Sequence, residues 1–323
     1  MNYTHLGRSG LSVSRICLGT MNFGALTPEA EAHALMDSAH EQGVNFIDTA
    51  NRYGGALGVG KTEELLGRWF AKGGGRREKT VLATKLYGAM DEWPNSSKLS
   101  ALNIRNALDA SLSRLQTDHV DLYQFHHVDR DTPWDEIWQA MEVAVQQGKI
   151  LYAGSSNFAG WHLAQAQGAA AARNFTGLVS EQSIYNLKTR WVELEVLPAA
   201  RAYGIGIIPW SPLEGGLLGG VLRKEREGRR RLEGRAAEAV AKNRPQIEAW
   251  EGFCADLGVE PGEVALAWLL HQDGVTAPIV GPRTKEHLDS ALRALSVRLD
   301  SAALARLDDI FPGYRSAPEH YAW

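Results

Sequence analysis

Cysteine is nearly absent from this chain: Cys17 and Cys254 are the only two in 323 residues. Neither belongs to a CxxC pair or a metal-ligand spacing, so a disulfide framework and a zinc site are excluded, no metal is expected, and both are read as buried free thiols. Long apolar runs are missing too. The longest, VALAWLL from Val264 to Leu270, falls far short of the roughly 20 residues that span a bilayer, which excludes a membrane partner. The N-terminal MNYTHLGRSG lacks an apolar signal core, and a cytoplasmic protein is expected. Neither sign of charge dominates: 34 Lys and Arg face 38 Asp and Glu, a net charge of −4. With no basic tract filling one half, nucleic acid is not an expected partner. No Ser/Pro-rich linker divides the chain, so residues 1–323 are read as one domain.

What is present is a rhythm. Apolar runs of strand type begin at Arg15 (RICLG), Asn45 (NFIDT), Thr80 (TVLATK), Val120 (VDLYQFH), Ile150 (ILYAGSSN), Gly177 (GLVSEQ), Ile205 (IGIIPWS) and Ala277 (APIVG). Segments of helical period lie between them: Pro28–Gln42, Thr62–Phe70, Ser100–Leu115, Pro133–Gln147, Val192–Tyr203, Glu263–Gln272 and Thr284–Leu295. Strands alternating with crossover helices specify a parallel sheet, and eight units without a break fit a closed α/β (β/α)8 TIM barrel. Residues 1–14 read as an N-terminal β-hairpin turning at Arg8-Ser9-Gly10 and plugging the barrel bottom. Residues 213–244 read as a long loop after strand 7, carrying the basic tract Arg229-Arg230-Arg231, and residues 301–323 as an extra C-terminal helix and tail.

Barrel enzymes place their chemistry where the strands end at their C-termini. Here the apolar runs stop at Asp48, Lys85, His126, Ser156-Asn157, Gln182 and Trp210-Ser211, with Tyr53 just past Asp48. Each alone has an ordinary structural explanation, but in a barrel all of them share one rim. A tyrosine hydroxyl, with a reference pKa near 10, is a weak acid, and a neighbouring ammonium favours its phenolate. Lys85 is expected to lower the Tyr53 pKa in this way, with Asp48 orienting Lys85 and His126 donating a hydrogen bond to a carbonyl oxygen. Such a quartet protonates an oxygen. No side chain donates hydride, so a nicotinamide cofactor is implied.

One motif points to a different chemistry. GALGVGKT, Gly55 to Thr62, matches the P-loop pattern G-x-x-x-x-G-K-[ST]. In a P-loop the strand runs almost directly into the first glycine, whereas Asp48 to Gly54 intervenes here. With 33 glycines in the chain, a chance match is on the order of one per hundred such chains. A P-loop NTPase is therefore rejected, and these glycines are expected to turn the chain from Tyr53 into a helix starting near Lys61 or Thr62.

Over nearly its whole length the sequence resembles the aldo-keto reductase family. The resemblance rests on LGTMNFG (Leu18–Gly24), GVNFIDTANRYG (Gly43–Gly54), VLATK (Val81–Lys85), DLYQFH (Asp121–His126), GSSNF (Gly154–Phe158), PWSPLEGGLL (Pro209–Leu218) and VGPRTKEHL (Val280–Leu288). It implies a catalytic quartet of Asp48, Tyr53, Lys85 and His126, with Tyr53 the acid in reduction of an aldehyde or ketone to an alcohol. It implies NADPH/NADP+ as the cofactor. Ser156, Asn157 and Gln182 would face the nicotinamide carboxamide, Trp210 would stack on its ring, and Gly19, Thr20 and Met21 would lie beside it. Ser211, Leu213 and Gly215 match the pyrophosphate region. Gly281 to Thr284 open a helix suited to phosphate, Arg283 to the adenosine 2′-phosphate, and His287 stands where Arg or Gln often touches that end. Ser290-Ala291 replaces a common Glu-Asn pair that contacts adenine. Phe23, Trp93 and His127 are the leading pocket candidates, with Met21, Asn22, Trp134, Tyr314 and Trp323 behind them. The partner expected is a small carbonyl substrate. A bacterial branch that includes nucleotide-linked keto-deoxysugar reductases offers one substrate class, and the similar potassium-channel β-subunits offer a regulatory alternative.

Overall fold

A computed structural model describes residues 1–228, 233–317 and 320–322 of the protein. Arg229, Arg230, Arg231 and Trp323, singled out above, lie outside the described residues. The chain opens with an antiparallel pair, β1 (Tyr3–His5) and β2 (Ser12–Ser14). The Leu6 N–H donates to the Leu11 carbonyl at 2.9 Å, closing the hairpin around the expected turn.

The eight apolar runs become eight parallel strands: β3 (Cys17–Gly19), β4 (Phe46–Asp48), β5 (Val81–Leu86), β6 (Val120–Phe125), β7 (Ile150–Ser156), β8 (Leu178–Gln182), β9 (Gly206–Ile207) and β10 (Ile279–Val280). They pair in chain order from β3 to β9, with β10 returning to β3. The ring closes between β9 and the approach to β10. Ile207 bridges Val275, Thr276 N–H donates to Ile207 O at 2.8 Å, and Ile279 N–H donates to Pro209 O at 2.8 Å. Strands buried on both faces read as short, near-continuous apolar runs, and their length and β-branched or aromatic content mark them in the sequence.

Around the ring stand α1 (Glu29–Glu41), α2 (Lys61–Phe70), α3 (Ala101–Leu115), α4 (Trp134–Gln146), α5 (Gly160–Ala172), α6 (Val196–Tyr203), α7 (Val221–Arg226), α8 (Gly234–Leu257), α9 (Pro261–His271), α10 (Lys285–Arg293) and α11 (Ser301–Ile310). Local signals start and stop them. Ser100, Thr284 and Asp300 accept backbone N–H groups at the starts of α3, α10 and α11, and Gly204 and Gly258 end α6 and α8 in left-handed backbone. Two expectations need correction. The helix expected over Val192–Tyr203 is a 3-10 turn, Trp191–Glu193, followed by α6; Glu195, with φ −145°, leaves helical backbone between them, and Pro198, with no N–H for the Leu194 carbonyl, is accommodated in the first turn of α6. Residues 213–244, expected as a loop, hold a 3-10 turn (Glu214–Gly216), α7 and the first turns of α8. The stretch AAEAVAK within α8 is made largely of good helix formers. Among the described residues no helix is long and apolar enough to cross a membrane.

Trp69, Trp138, Trp250 and Trp268 are fully buried between the ring and its helices. Inside the ring, Phe46, Val81, Ala83, Leu122 and Ile208 meet Leu6 and Val13 of the hairpin, forming an apolar layer at the lower end. Gly7 makes that closure possible. Its φ is +53°, and a methyl there would come within 2.5 Å of Val179 O and 2.6 Å of Gly204 O.

Candidate active site

Side chains two residues apart on a strand share a face. From the apolar layer, two steps along β4, β5 and β6 lead from Phe46 to Asp48, from Ala83 to Lys85 and from Leu122 to Gln124. The inward face thus changes from hydrocarbon to charge over one pleat. Adjacent registers, Gly19 with Asp48 and Lys85 with Gln124, bring these polar ends together. Beyond β4 the chain stays pinned to its neighbour, with Asn51 N–H donating to Lys85 O at 3.1 Å and Tyr53 N–H to Ala50 O at 3.1 Å, and so delivers Tyr53 to the same mouth.

Lys85 is the centre of the cluster. Its fully buried ammonium donates to Asp48 Oδ2 at 2.6 Å, to Thr49 O at 2.9 Å and to Tyr53 Oη at 3.2 Å. The other oxygen of Asp48 accepts from Gln124 Nε2 at 3.0 Å and Gln182 Nε2 at 2.9 Å. A buried ion pair is tolerable only when its remaining valences are met in this way. His126 follows β6, its ring edge-on to Tyr53 at 6.1 Å.

The electrostatics differ from the expectation in one respect. Burial raises the Tyr53 hydroxyl above its ordinary value, and Lys85, which works to lower it, does not outweigh that penalty. Burial also weighs against charge on Lys85, yet Asp48 and Tyr53 raise its pKa above the ordinary value. His126 is pushed down to about 3, first by burial and then by the positive charge of Lys85. At neutral pH the site therefore holds a protonated phenol, an ammonium and a neutral imidazole.

The residues expected around a nicotinamide form a connected set. Asn157, in left-handed backbone with φ +61°, donates through Nδ2 to His126 O at 3.1 Å and Ser156 Oγ at 3.0 Å. Its Oδ1 accepts from Trp210 Nε1 at 3.2 Å, fixing the indole across the strand ends. Ser156 Oγ donates to Gln182 O at 2.7 Å. Thr20, after Gly19, donates through Oγ1 to Asp48 O at 2.9 Å, while Met21 stands 62 % exposed. Ser211 and Leu213 follow Trp210 partly buried, and Gly215 has open space where a side chain would be. Asn22 Nδ2 donates to Gly281 O at 3.1 Å, tying the β3 loop to the segment before α10, where Arg283 and His287 lie exposed. Burial, Lys224 and Arg283 together lower the His287 pKa. Ser290 hydrogen-bonds Glu263 at 3.0 Å and Ala291 is buried, so this stretch packs against α9.

The pocket candidates divide. His127 is exposed, stacks on His126 at 5.2 Å and meets Tyr87 edge-on at 5.4 Å. Phe23 is fully buried in the core with no surface to offer the mouth, which corrects its assignment. Trp134 packs on Trp138 and Phe158, and Trp93 stands 80 % exposed on the loop after β5. Tyr314 stacks on Trp191 at 4.5 Å. Two buried polar residues escaped the sequence reading. Gln124, the second ligand of Asp48 Oδ1, sits inside an apolar run. Glu181 accepts from the Ser155 and Ser183 hydroxyls, each at 2.5 Å, and from Phe158 N–H at 3.1 Å, securing the turn that carries Asn157.

The P-loop resemblance dissolves. Gly55–Leu57 is a 3-10 turn, Lys61 pairs with Glu64 of its own helix at 2.8 Å, and Thr62 is buried against Phe23 O. Gly54, with φ +150°, leaves room for the turn, since a methyl there would meet Gly58 O at 1.9 Å.

A closed ring of eight parallel strands with a buried Lys-Asp-Tyr cluster at its C-terminal rim defines a (β/α)8 barrel of the kind that carries enzymes. The chain belongs to the aldo/keto reductase family, whose model matches residues 15–311, and it is an oxidoreductase of that family. It is 52 % identical, over 100 % of both chains, to the uncharacterised oxidoreductase YrpG of Bacillus subtilis (strain 168). Identity to the versiconal hemiacetal acetate reductase of Aspergillus parasiticus is 31 %, over 98 % of this chain and 100 % of that one. A probable voltage-gated potassium channel subunit beta of Oryza sativa subsp. japonica is 33 % identical over 92 % of each chain.

Proposed function

We propose that the protein reduces an aldehyde or ketone to an alcohol with NADPH, Tyr53 giving the proton to the carbonyl oxygen. The observation that carries this reading is the placement of Lys85 Nζ, bonded to Asp48 Oδ2 at 2.6 Å and to Tyr53 Oη at 3.2 Å. Burial keeps the proton on Tyr53 until it is needed. As the phenol gives it up, the adjacent ammonium stabilises the phenolate, and Asp48 holds the ammonium in place. His126, neutral at physiological pH, orients the carbonyl by a hydrogen bond and is not a proton source.

The chemistry of the donor set fits a nicotinamide. A flat ring bearing a carboxamide calls for an aromatic face and amide and hydroxyl partners, and Trp210, Ser156, Asn157 and Gln182 provide them at one rim. Bound there, NADPH supplies the hydride. The backbone of Gly281 to Thr284 and the Arg283 guanidinium suit its phosphates. The relative named as a probable channel subunit supports a second reading, a regulatory subunit in which NADPH binding would not lead to turnover.

Fluorescence titration with NADPH, NADH and ATP, followed by turnover on aldehydes and ketones, tests the proposal. NADPH should bind at least about tenfold tighter than NADH, with Arg283→Ala erasing the difference. Saturable binding of ATP alone would overturn the assignment, and NADPH binding with no turnover on any carbonyl would favour the second reading.

A further inference from the structure

Arg52 stands immediately before Tyr53 on the loop leaving β4 and is exposed. Its side chain lies across Gly88, just past the end of β5: a methyl at Gly88 would come within 3.1 Å of Arg52 Cγ and Cδ and 3.3 Å of Nε. Gly88 is not in left-handed backbone, and its lack of a side chain leaves room for the arginine. The neighbouring Tyr87 meets His127, and His127 stacks on His126. Arg52, Tyr87 and His127 therefore line the same side of the mouth as the proposed acid.

The guanidinium there is unspent. Among the described residues Arg52 has no hydrogen bond or ion pair, whereas Arg68, Arg76, Arg77 and Arg114 on nearby elements pair with Glu29, Asp37, Asp121 and Glu63. Its positive charge reaches the reacting centre and is one of the influences holding His126 unprotonated. A planar fork of N–H donors, held over a glycine and left without a carboxylate, matches a carboxylate or phosphate in two-point contact.

We infer that Arg52 recognises an anionic group on the carbonyl substrate, so that the mouth selects aldehydes or ketones bearing a carboxylate or a phosphate. This deepens the proposed reductase function and rests on it. An anion held by Arg52 places the carbonyl between Tyr53 and His126, and binding energy remote from the reacting atoms becomes orientation.

The test compares substrate pairs differing only in charge: para-carboxybenzaldehyde against its methyl ester, and glyceraldehyde phosphate against glyceraldehyde. The wild-type protein should favour the anionic member of at least one pair by about ten- to a hundredfold in kcat/KM, and the favoured pair tells carboxylate from phosphate. Arg52→Gln should bring that ratio close to one, chiefly through KM for the anionic member, and Arg52→Lys should keep part of it. Turnover of the neutral members with no anionic preference, or an Arg52→Gln effect equal on both members, overturns the inference and leaves the reductase reading standing. No turnover of either member by the wild type removes both.

Discussion

The two ends of this barrel are made from the same strands and opposite materials. At the lower end Phe46, Ala83 and Leu122 meet the hairpin in a layer of hydrocarbon. One pleat higher, the same strands present Asp48, Lys85 and Gln124, buried just as deeply and joined by hydrogen bonds. Apolar contacts hold the lower layer and are indifferent to pH. The upper layer holds charge out of water, which costs stability unless every group is partnered, and its titrations depend on those partners. On the proposed function, a single fold thus keeps an end whose alteration affects stability and an end whose alteration changes chemistry.

Leu6→Ala should break the lower end only. Removing a fully buried leucine from the plug is expected to lower stability by about 2–5 kcal/mol, while kcat/KM for a carbonyl stays within about twofold; a denaturant melt and a turnover assay on the same preparation check both. A large loss of turnover in the folded variant would show that the ends are coupled.

A smaller effect sharpens the contrast at the top. Burial lifts the Glu181 carboxyl from its ordinary value of 4.5 to about 7. The folded state therefore holds this proton more tightly than the unfolded chain. The resulting stability is fully present below the unfolded value and is lost as pH rises through about 7. Glu181→Gln should remove that slope, worth at most about 3 kcal/mol across the window. Melts at about pH 5 and pH 8 would expose it, and Leu6→Ala should leave the slope intact. An unchanged slope in Glu181→Gln would mean that the carboxyl titrates elsewhere.

The contrast between the ends also explains what the sequence disclosed. Asp48, Lys85 and His126 were legible because each ends an apolar run, and a polar residue at a strand end is conspicuous. Gln124 has the same inward face but sits within the run VDLYQF, and Glu181 beside Gln182 reads as one more strand residue; nothing local tells which polar side chains meet in space. The charge of Lys85 can be read from residue type, whereas the burial that sets the direction of the Tyr53 shift needs the assembled mouth. Phe23 shares a motif with Thr20 and Met21, yet the turn carries it into the core. Among the helices, α5 is the hardest to read from sequence, because GWHLAQAQGAAAA is mostly small or apolar and carries little periodicity.

On the proposed function, the upper layer delivers a proton from Tyr53 to a carbonyl oxygen. The most direct test is NADPH consumption with one aldehyde by the wild type and by Tyr53→Phe, with cofactor binding measured in parallel. The expected result is a fall in kcat of about a hundredfold or more, the scale of a lost general acid, with NADPH affinity unchanged. Turnover in Tyr53→Phe close to that of the wild type would rule out Tyr53 as the acid.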